Sequence, residues 1–137
     1  MKKQKDIIGY EGLYRITKRG FVIRYPRKKR LNGGGEIMLP EMQVAINMNG
    51  AYYPSVTLNK NGKQKTFYMH RLMAIHFIPN NNILQKLEVN HKNKNTQDYS
   101  IKNLEWCTRS ENVKHAKNIL ERTAVGAVRQ KKKKNVR

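Results

Sequence analysis

An excess of twenty positive charges constrains this chain more than any other feature. Lys and Arg number 29 against 9 Asp and Glu in 137 residues. Self-repulsion on that scale opposes a compact state unless a polyanion offsets it. Nucleic acid is the polyanion expected, because cations that neutralise phosphates release condensed counterions. An anionic membrane surface is the competing expectation, but it calls for a basic amphipathic helix with a broad apolar face, and the sequence offers none. No apolar run is long enough to span a bilayer, and no apolar signal-peptide core follows the first residues. These observations predict a soluble, cytoplasmic protein with no membrane partner, folded as one compact domain or two very small modules.

The charge is segregated along the chain. Eight cations and no acid lie between Arg15 and Arg30, no cation lies between Leu31 and Leu58, and six more cations lie between Arg129 and Arg137. A charge run is usually a solvated face or a tail. That reading comes first for Lys131 to Lys134, with non-specific phosphate contact as its use. Arg15, Lys18, Arg19, Arg24, Arg27, Lys28, Lys29, Arg30, Lys60, Lys63 and Lys65 are candidates for phosphate contacts, which fix register without reading sequence.

The pattern of apolar residues divides the chain into short elements. Between Ile7 and Ile23, Gly9, Gly12 and Gly20 interrupt apolar and aromatic residues, which predicts short strands joined by glycine turns. Asn32 to Gly35 reads as a flexible link or a hairpin tip. Tyr52 to Leu58 and Lys63 to Met69 flank Asn61-Gly62, a strong hairpin signal because both turn residues need positive φ. His70 to Phe77 reads as a short helix with Leu72, Met73 and Ile75 to Phe77 toward the core, stopped by Pro79. Leu87 to His91 reads as a strand, Lys92 to Asn95 as a loop leading through Tyr99 to Asn103, and Leu104 to Thr108 as a second strand. A helix over Arg109 to Leu120 follows, with Ser110 as its N-cap and Val113, Ala116, Ile119 and Leu120 on one face. The local order is strand, loop, strand, helix.

Phosphodiester hydrolysis needs an activated water, a cation for the charge that develops on the phosphate, and help for the leaving oxygen. Two-metal nucleases gather several carboxylates, but this chain has only Asp6 and Asp98 as aspartates, and its glutamates are scattered. Cys107 is the only cysteine, so neither an intramolecular disulfide nor an all-cysteine zinc site can form. One hard ion and one histidine base remain as a workable scheme. A His at the end of the first strand (His91), an Asn at the entrance of the second (Asn103) and an Asn in the first turn of the helix (Asn112) can converge in such a unit.

The run Asn90-His91, Asn103-Leu104-Glu105-Trp106, Glu111-Asn112 and His115-Ala116 resembles the HNH homing endonucleases of phages and mobile introns. His70-Arg71-Leu72 and Phe77-Ile78-Pro79-Asn80 resemble the helix that leads into the same unit. Ile8 to Ile16 with Gly20-Phe21-Val22 resembles the nuclease-associated modular DNA-binding motif found at the N-termini of such enzymes. The resemblance implies an α+β protein whose ββα-metal unit, of the His-Me finger type, cleaves duplex DNA and leaves a 5′-phosphate and a 3′-hydroxyl. It implies His91 as general base, Asn90 and Asn112 as ligands of one Mg²⁺ or Mn²⁺, and Asn103 as the residue that ties the loop and orients the base. It divides the chain into an N-terminal β module over residues 1–58, the nuclease domain over 59–122 and a basic tail over 123–137, with no obligate protein partner. Asn90 departs from the Asp often found in relatives. A neutral amide binds a hard dication less strongly than a carboxylate, so metal binding is expected to be weak without DNA.

Each of these residues also has a bland reading. A lone His is more often structural than catalytic, and Asn is favoured in turns and caps. His115 can be a ligand, a phosphate contact or a packed side chain. His70 and His76 read as structural, though His70 beside Arg71 can contact DNA. Trp106, Tyr10, Tyr14, Tyr52 and Tyr53 read as packing residues. Paired Gly-Ile-Tyr and Tyr-Ile-Gly motifs of another nuclease class are superficially suggested by Ile8-Gly9-Tyr10, but the second motif is missing. A catalytically idle DNA-binding protein, or an RNA-binding one suggested by charge alone, stands as the competing class.

Overall fold

The computed structural model describes residues 2–48, 53–82 and 84–114. Tyr52, His115, the far side of the expected C-terminal helix and the basic tail lie outside the described residues. The chain forms two units, Met1–Pro79 with His91–Glu105 and Asn80–Asn90 with Trp106–Arg137.

Among the described residues, the regular structure of the first unit is mainly short antiparallel strands. Strands β1 (Gln4–Asp6), β2 (Tyr14–Thr17), β3 (Val22–Arg24) and β6 (Met42–Gln43) form a four-stranded sheet in the order β1-β2-β3-β6. Alternation decides its faces: Tyr14, Ile16 and Val22 are buried while Arg15, Thr17 and Ile23 are only half-buried. Ile7, Tyr10, Val56 and Leu58 join them in the core, and Tyr10 meets Tyr14 edge-on at a 5.9 Å centroid separation. Between β2 and β3 the chain turns at Gly20, whose φ is +92° and whose Cα lies so close to Tyr99 that a Cβ would sit 2.8 Å from the ring. Glycine is required there on both counts.

Strands β4 (Arg27–Arg30) and β5 (Glu36–Leu39) make a two-stranded ribbon with Asn32 to Gly35 at its tip. All four basic residues of β4 are exposed. The glycine-rich stretch is thus a hairpin tip rather than a link, and the basic block is a strand. Strands β7 (Ser55–Lys60) and β8 (Lys63–Tyr68) pair from Ser55↔Tyr68 to Lys60↔Lys63. Asn61 (φ 53°) and Gly62 (φ 73°) form the two-residue turn between them, as expected for Asn-Gly. The boundary expected between residues 58 and 59 falls inside β7.

Helix α1 (Met69–Phe77) follows β8 directly. Met69, Leu72, Met73, His76 and Phe77 are buried at the i, i+3, i+4, i+7 and i+8 positions of one helical face, and His70 and Ala74 widen that face. Ile75 was expected in the core. It lies off that face and is 45% exposed, because 3.6 residues per turn carry it to the other side. The chain then runs through β9 (Glu88–His91), a single 3₁₀ turn (Ile101–Asn103), β10 (Leu104–Cys107) and a helical turn at residues 109–114. This mixture of many strands with few helices is the α+β class expected. Ser110, however, is not the N-cap. Thr108 Oγ1 accepts from the Glu111 N–H at 3.1 Å and Glu111 Oε2 accepts from the Thr108 N–H at 3.2 Å, the reciprocal bonds of a capping box. Among the described residues no helix is long and apolar enough to cross a membrane.

Candidate active site

In the first unit, His91 ends β9 and the loop after it is closed by Asn103. The Lys92 N–H donates to the Asn103 carbonyl at 2.7 Å. The buried Asn103 side chain works from both ends, its Oδ1 accepting from the Asn93 N–H at 2.9 Å and its Nδ2 donating to the Asp98 carbonyl at 2.9 Å. One amide therefore ties three points of a ten-residue loop, the first of them two residues from His91. In the sequence Asp98 counts only as one of two aspartates, too few for a carboxylate-rich two-metal site. Here it accepts from the Ser100 N–H, the Ser100 hydroxyl and Asn93 Nδ2, and these bonds hold its carboxyl below the ordinary range.

The His91 ring is turned inward. It is 6% exposed, and its Nε2 has neither solvent nor a hydrogen-bond partner. Tyr53 stacks on it at 5.8 Å and 24°, and His70 lies 4.9 Å away at 55°. His70 in turn faces Tyr53 at 4.8 Å and Tyr68 at 5.7 Å, with its Nδ1 also buried and unpartnered. Burial pushes the His91 pKa below 6.5 although the Asp98 charge opposes the shift. Burial, then the neighbouring His91 and Arg71, pushes His70 down to about 4. Both rings are thus held neutral at physiological pH, and a neutral imidazole is the form that can accept a proton.

In the second unit, Asn112 Nδ2 donates to Glu88 Oε2 at 2.5 Å. Along β9 burial alternates, so Glu88 and Asn90 share the half-buried face while Val89 and His91 are buried. This unit therefore collects amide and carboxylate oxygens, the donors that suit a hard dication such as Mg²⁺ or Mn²⁺. Among the described residues no group of three His, Cys, Asp or Glu could hold a metal. Glu88 was not singled out in the sequence. The alternation of β9 marks its face, but its pairing with a residue 24 positions on has no local signal.

Several expectations separate at this point. His76 is structural: its Nε2 accepts from the Ile8 N–H at 3.1 Å and its Nδ1 meets the Leu72 carbonyl at 2.7 Å. Arg71 is exposed beside the His70 cluster, and Trp106 is half-buried. Arg15, expected on phosphate, is instead taken up internally. Its guanidinium pairs with Glu41 at 2.9 Å, donates to Gln4 and lies 4.9 Å over the Tyr25 ring. Arg24 is half-buried and donates to the Pro40 carbonyl, and Lys60 Nζ donates to the Gly9 carbonyl at 2.7 Å. Lys18, Arg19, Arg27 to Arg30, Lys63 and Lys65 are exposed.

A family model described as HNH endonuclease matches residues 67–114. DNA endonuclease I-HmuI of Bacillus phage SP01 is 36% identical over 111 residues, which are 81% of this chain and 55% of that protein. H-N-H endonuclease F-TflII of Escherichia phage T5 is 34% identical over 47% of this chain and 34% of its own length. A solved structure described as DNA binding and cleavage by the HNH homing endonuclease I-HmuI superposes with a TM-score of 0.64 at 27% identity, covering 95% of this chain and 68% of that one. The chain thus spans about half the length of the first of these curated relatives, and less of the other.

Proposed function

From the premise that this chain carries an HNH endonuclease domain and is homologous to a phage homing endonuclease, we propose that it is a metal-dependent endonuclease acting on duplex DNA. The observation that carries the reading is His91. Its imidazole is neutral, and the loop behind it is pinned by Asn103. In this reading His91 is the general base and Asn103 its positioning residue. Because Nε2 is sealed, Nδ1 is the nitrogen that takes a proton from the attacking water. The water oxygen bonds to phosphorus as the bond from phosphorus to the 3′-oxygen breaks, and the leaving 3′-oxygen takes a proton from solvent, which leaves a 5′-phosphate and a 3′-hydroxyl. Asn90 and Asn112 would present amide oxygens to one Mg²⁺ or Mn²⁺, and the dication, when bound, would supply stabilisation of the charge that develops on the phosphate and the leaving oxygen. Residues 88–114 then form the ββα-metal arrangement, with the preceding residues as the module that engages DNA.

Phosphate contacts fall to the exposed cations, above all the four on the β4–β5 ribbon. His115 and the tail beyond it keep the roles expected from sequence. A catalytically idle DNA-binding protein is the second reading, favoured by the burial of the His91 ring. Nicking of supercoiled plasmid with Mg²⁺, Mn²⁺ or chelator separates the two. Wild type nicks with metal and not with chelator, and His91→Ala abolishes nicking while retaining DNA. Equal nicking by both proteins would defeat the assignment of His91, and no metal-dependent nicking by wild type would favour the second reading.

A further inference from the structure

We infer that Glu88 is a positioning residue for Asn112 and the source of negative charge in an otherwise neutral set of oxygen donors. The inference rests on the metal-dependent reading above and names a residue that the reading does not include.

The bond between Asn112 Nδ2 and Glu88 Oε2, at 2.5 Å, settles which way the amide points. An ionised carboxylate can only accept, so the NH₂ end of Asn112 must face Glu88 and its carbonyl oxygen must face away. That leaves Oδ1 as the end offered to a cation. A charge-assisted bond is stronger than a neutral one, and it draws the amide toward the form with more negative charge on oxygen. Partners of this kind orient a metal ligand and raise its basicity.

Charge is the second part of the argument. Asn90 and Asn112 are both neutral, which is a weakness for binding a hard dication. Glu88 lies on the half-buried face of β9 that also carries Asn90 and is bonded to Asn112, so it brings a charge to a donor set that otherwise has none. Among the described residues it has no ion-pair partner to cancel it. A purely structural tie between β9 and the helical turn needs the hydrogen bond but not the charge, and that difference can be measured.

The test uses the full chain with a phosphorothioate duplex that resists hydrolysis. Mn²⁺ binding is followed by the loss of the free-ion paramagnetic resonance signal, for wild type, Glu88→Gln, Glu88→Asp and Glu88→Ala. Gln keeps the acceptor and the size but not the charge, and Asp keeps the charge on a shorter arm. Loss of an outer partner typically weakens metal binding by about 10–100-fold. Glu88→Gln should fall in that range with DNA retention and far-ultraviolet dichroism unchanged. Glu88→Asp should bind more tightly than Glu88→Gln, and Glu88→Ala most weakly. If wild type binds Mn²⁺ and nicks plasmid while Glu88→Gln titrates like wild type, the inference is overturned. It is overturned equally if Asp and Gln lose the same amount, since charge would then not matter. If wild type neither binds Mn²⁺ nor nicks, the metal-dependent reading fails first and this inference falls with it. Should Glu88→Ala lose its far-ultraviolet dichroism, the Gln and Asp comparison decides alone.

Discussion

Acidification should destabilise this protein through His70, by an amount the structure allows to be worked out. The ring is 7% exposed among Tyr53, Tyr68 and His91, its Nδ1 has no partner, and Arg71 is next in sequence. Burial first, then electrostatic interaction with His91, which takes up its own proton only on acidification, and with the Arg71 cation, lowers its pKa from 6.5 to about 4. A group whose folded pKa is depressed binds fewer protons in the native state. As pH falls through 6.5 the unfolded chain takes up the proton and the native state does not. Stability is therefore complete above 6.5, falls steadily toward 4 and is flat below it. At about 1.36 kcal/mol per pK unit the whole loss is about 3 kcal/mol, of which about 2 kcal/mol is reached by pH 5. Against a total stability of about 5–15 kcal/mol this is a large share. With a urea slope near 2 kcal/mol per molar, the midpoint should move by about 1 M. His70→Phe keeps an aromatic ring and cannot titrate. Urea titrations of both proteins at pH 7.5 and pH 5 should give a wild-type loss that exceeds the variant's by about 2 kcal/mol. His76 and His91 are also held below the ordinary range, mainly by burial, but they remain in both proteins and largely cancel in the difference. Parallel pH profiles for the two proteins would refute the argument, because a buried neutral His70 cannot be replaced without flattening the acid limb.

Two further outcomes follow from the loop that carries the candidate base. Gly20→Ala forces a side chain into a φ of +92° and puts its Cβ 2.8 Å from the Tyr99 ring. It should cost about 1–3 kcal/mol in a urea titration at pH 7.5, and a neutral result would mean that neither the positive φ nor the Tyr99 ring constrains this position. Asn103→Ala strands the Asn93 N–H and the Asp98 carbonyl, for about 1–3 kcal/mol per group in stability. It should slow plasmid nicking more than it weakens plasmid retention in a gel-shift assay, while Asn103→Asp, which keeps the acceptor, should lose less. Unchanged nicking in Asn103→Ala would remove the positioning role.

Much of the local structure was legible because its causes are local. Asn61-Gly62 needs positive φ at two adjacent positions, and only a tight hairpin uses them in that way. Pro79 and the apolar spacing that starts at Leu72 bounded α1 to within a residue. The helical turn after β10 was found, but its start was placed on Ser110 when Thr108 and Glu111 already stood three apart in the sequence as a capping box. Ile75 was assigned to the core on hydrophobicity, where the helical period should have decided.

The sequence by itself determined the polyanion partner to expect, the order strand, loop, strand, helix, and the single cysteine and scattered carboxylates that exclude other metal chemistry. Composition and periodicity carry that information without reference to the path of the chain. Only the tertiary structure decided that Arg15 is spent on Glu41, that Tyr99 rests on Gly20, that His70 and His91 share one aromatic enclosure and that Glu88 holds Asn112. Each of those pairs joins residues more than twenty positions apart, and no local propensity brings them together. They meet because burying the apolar faces fixes the path of the backbone, and the polar side chains then find the partners that path leaves within reach.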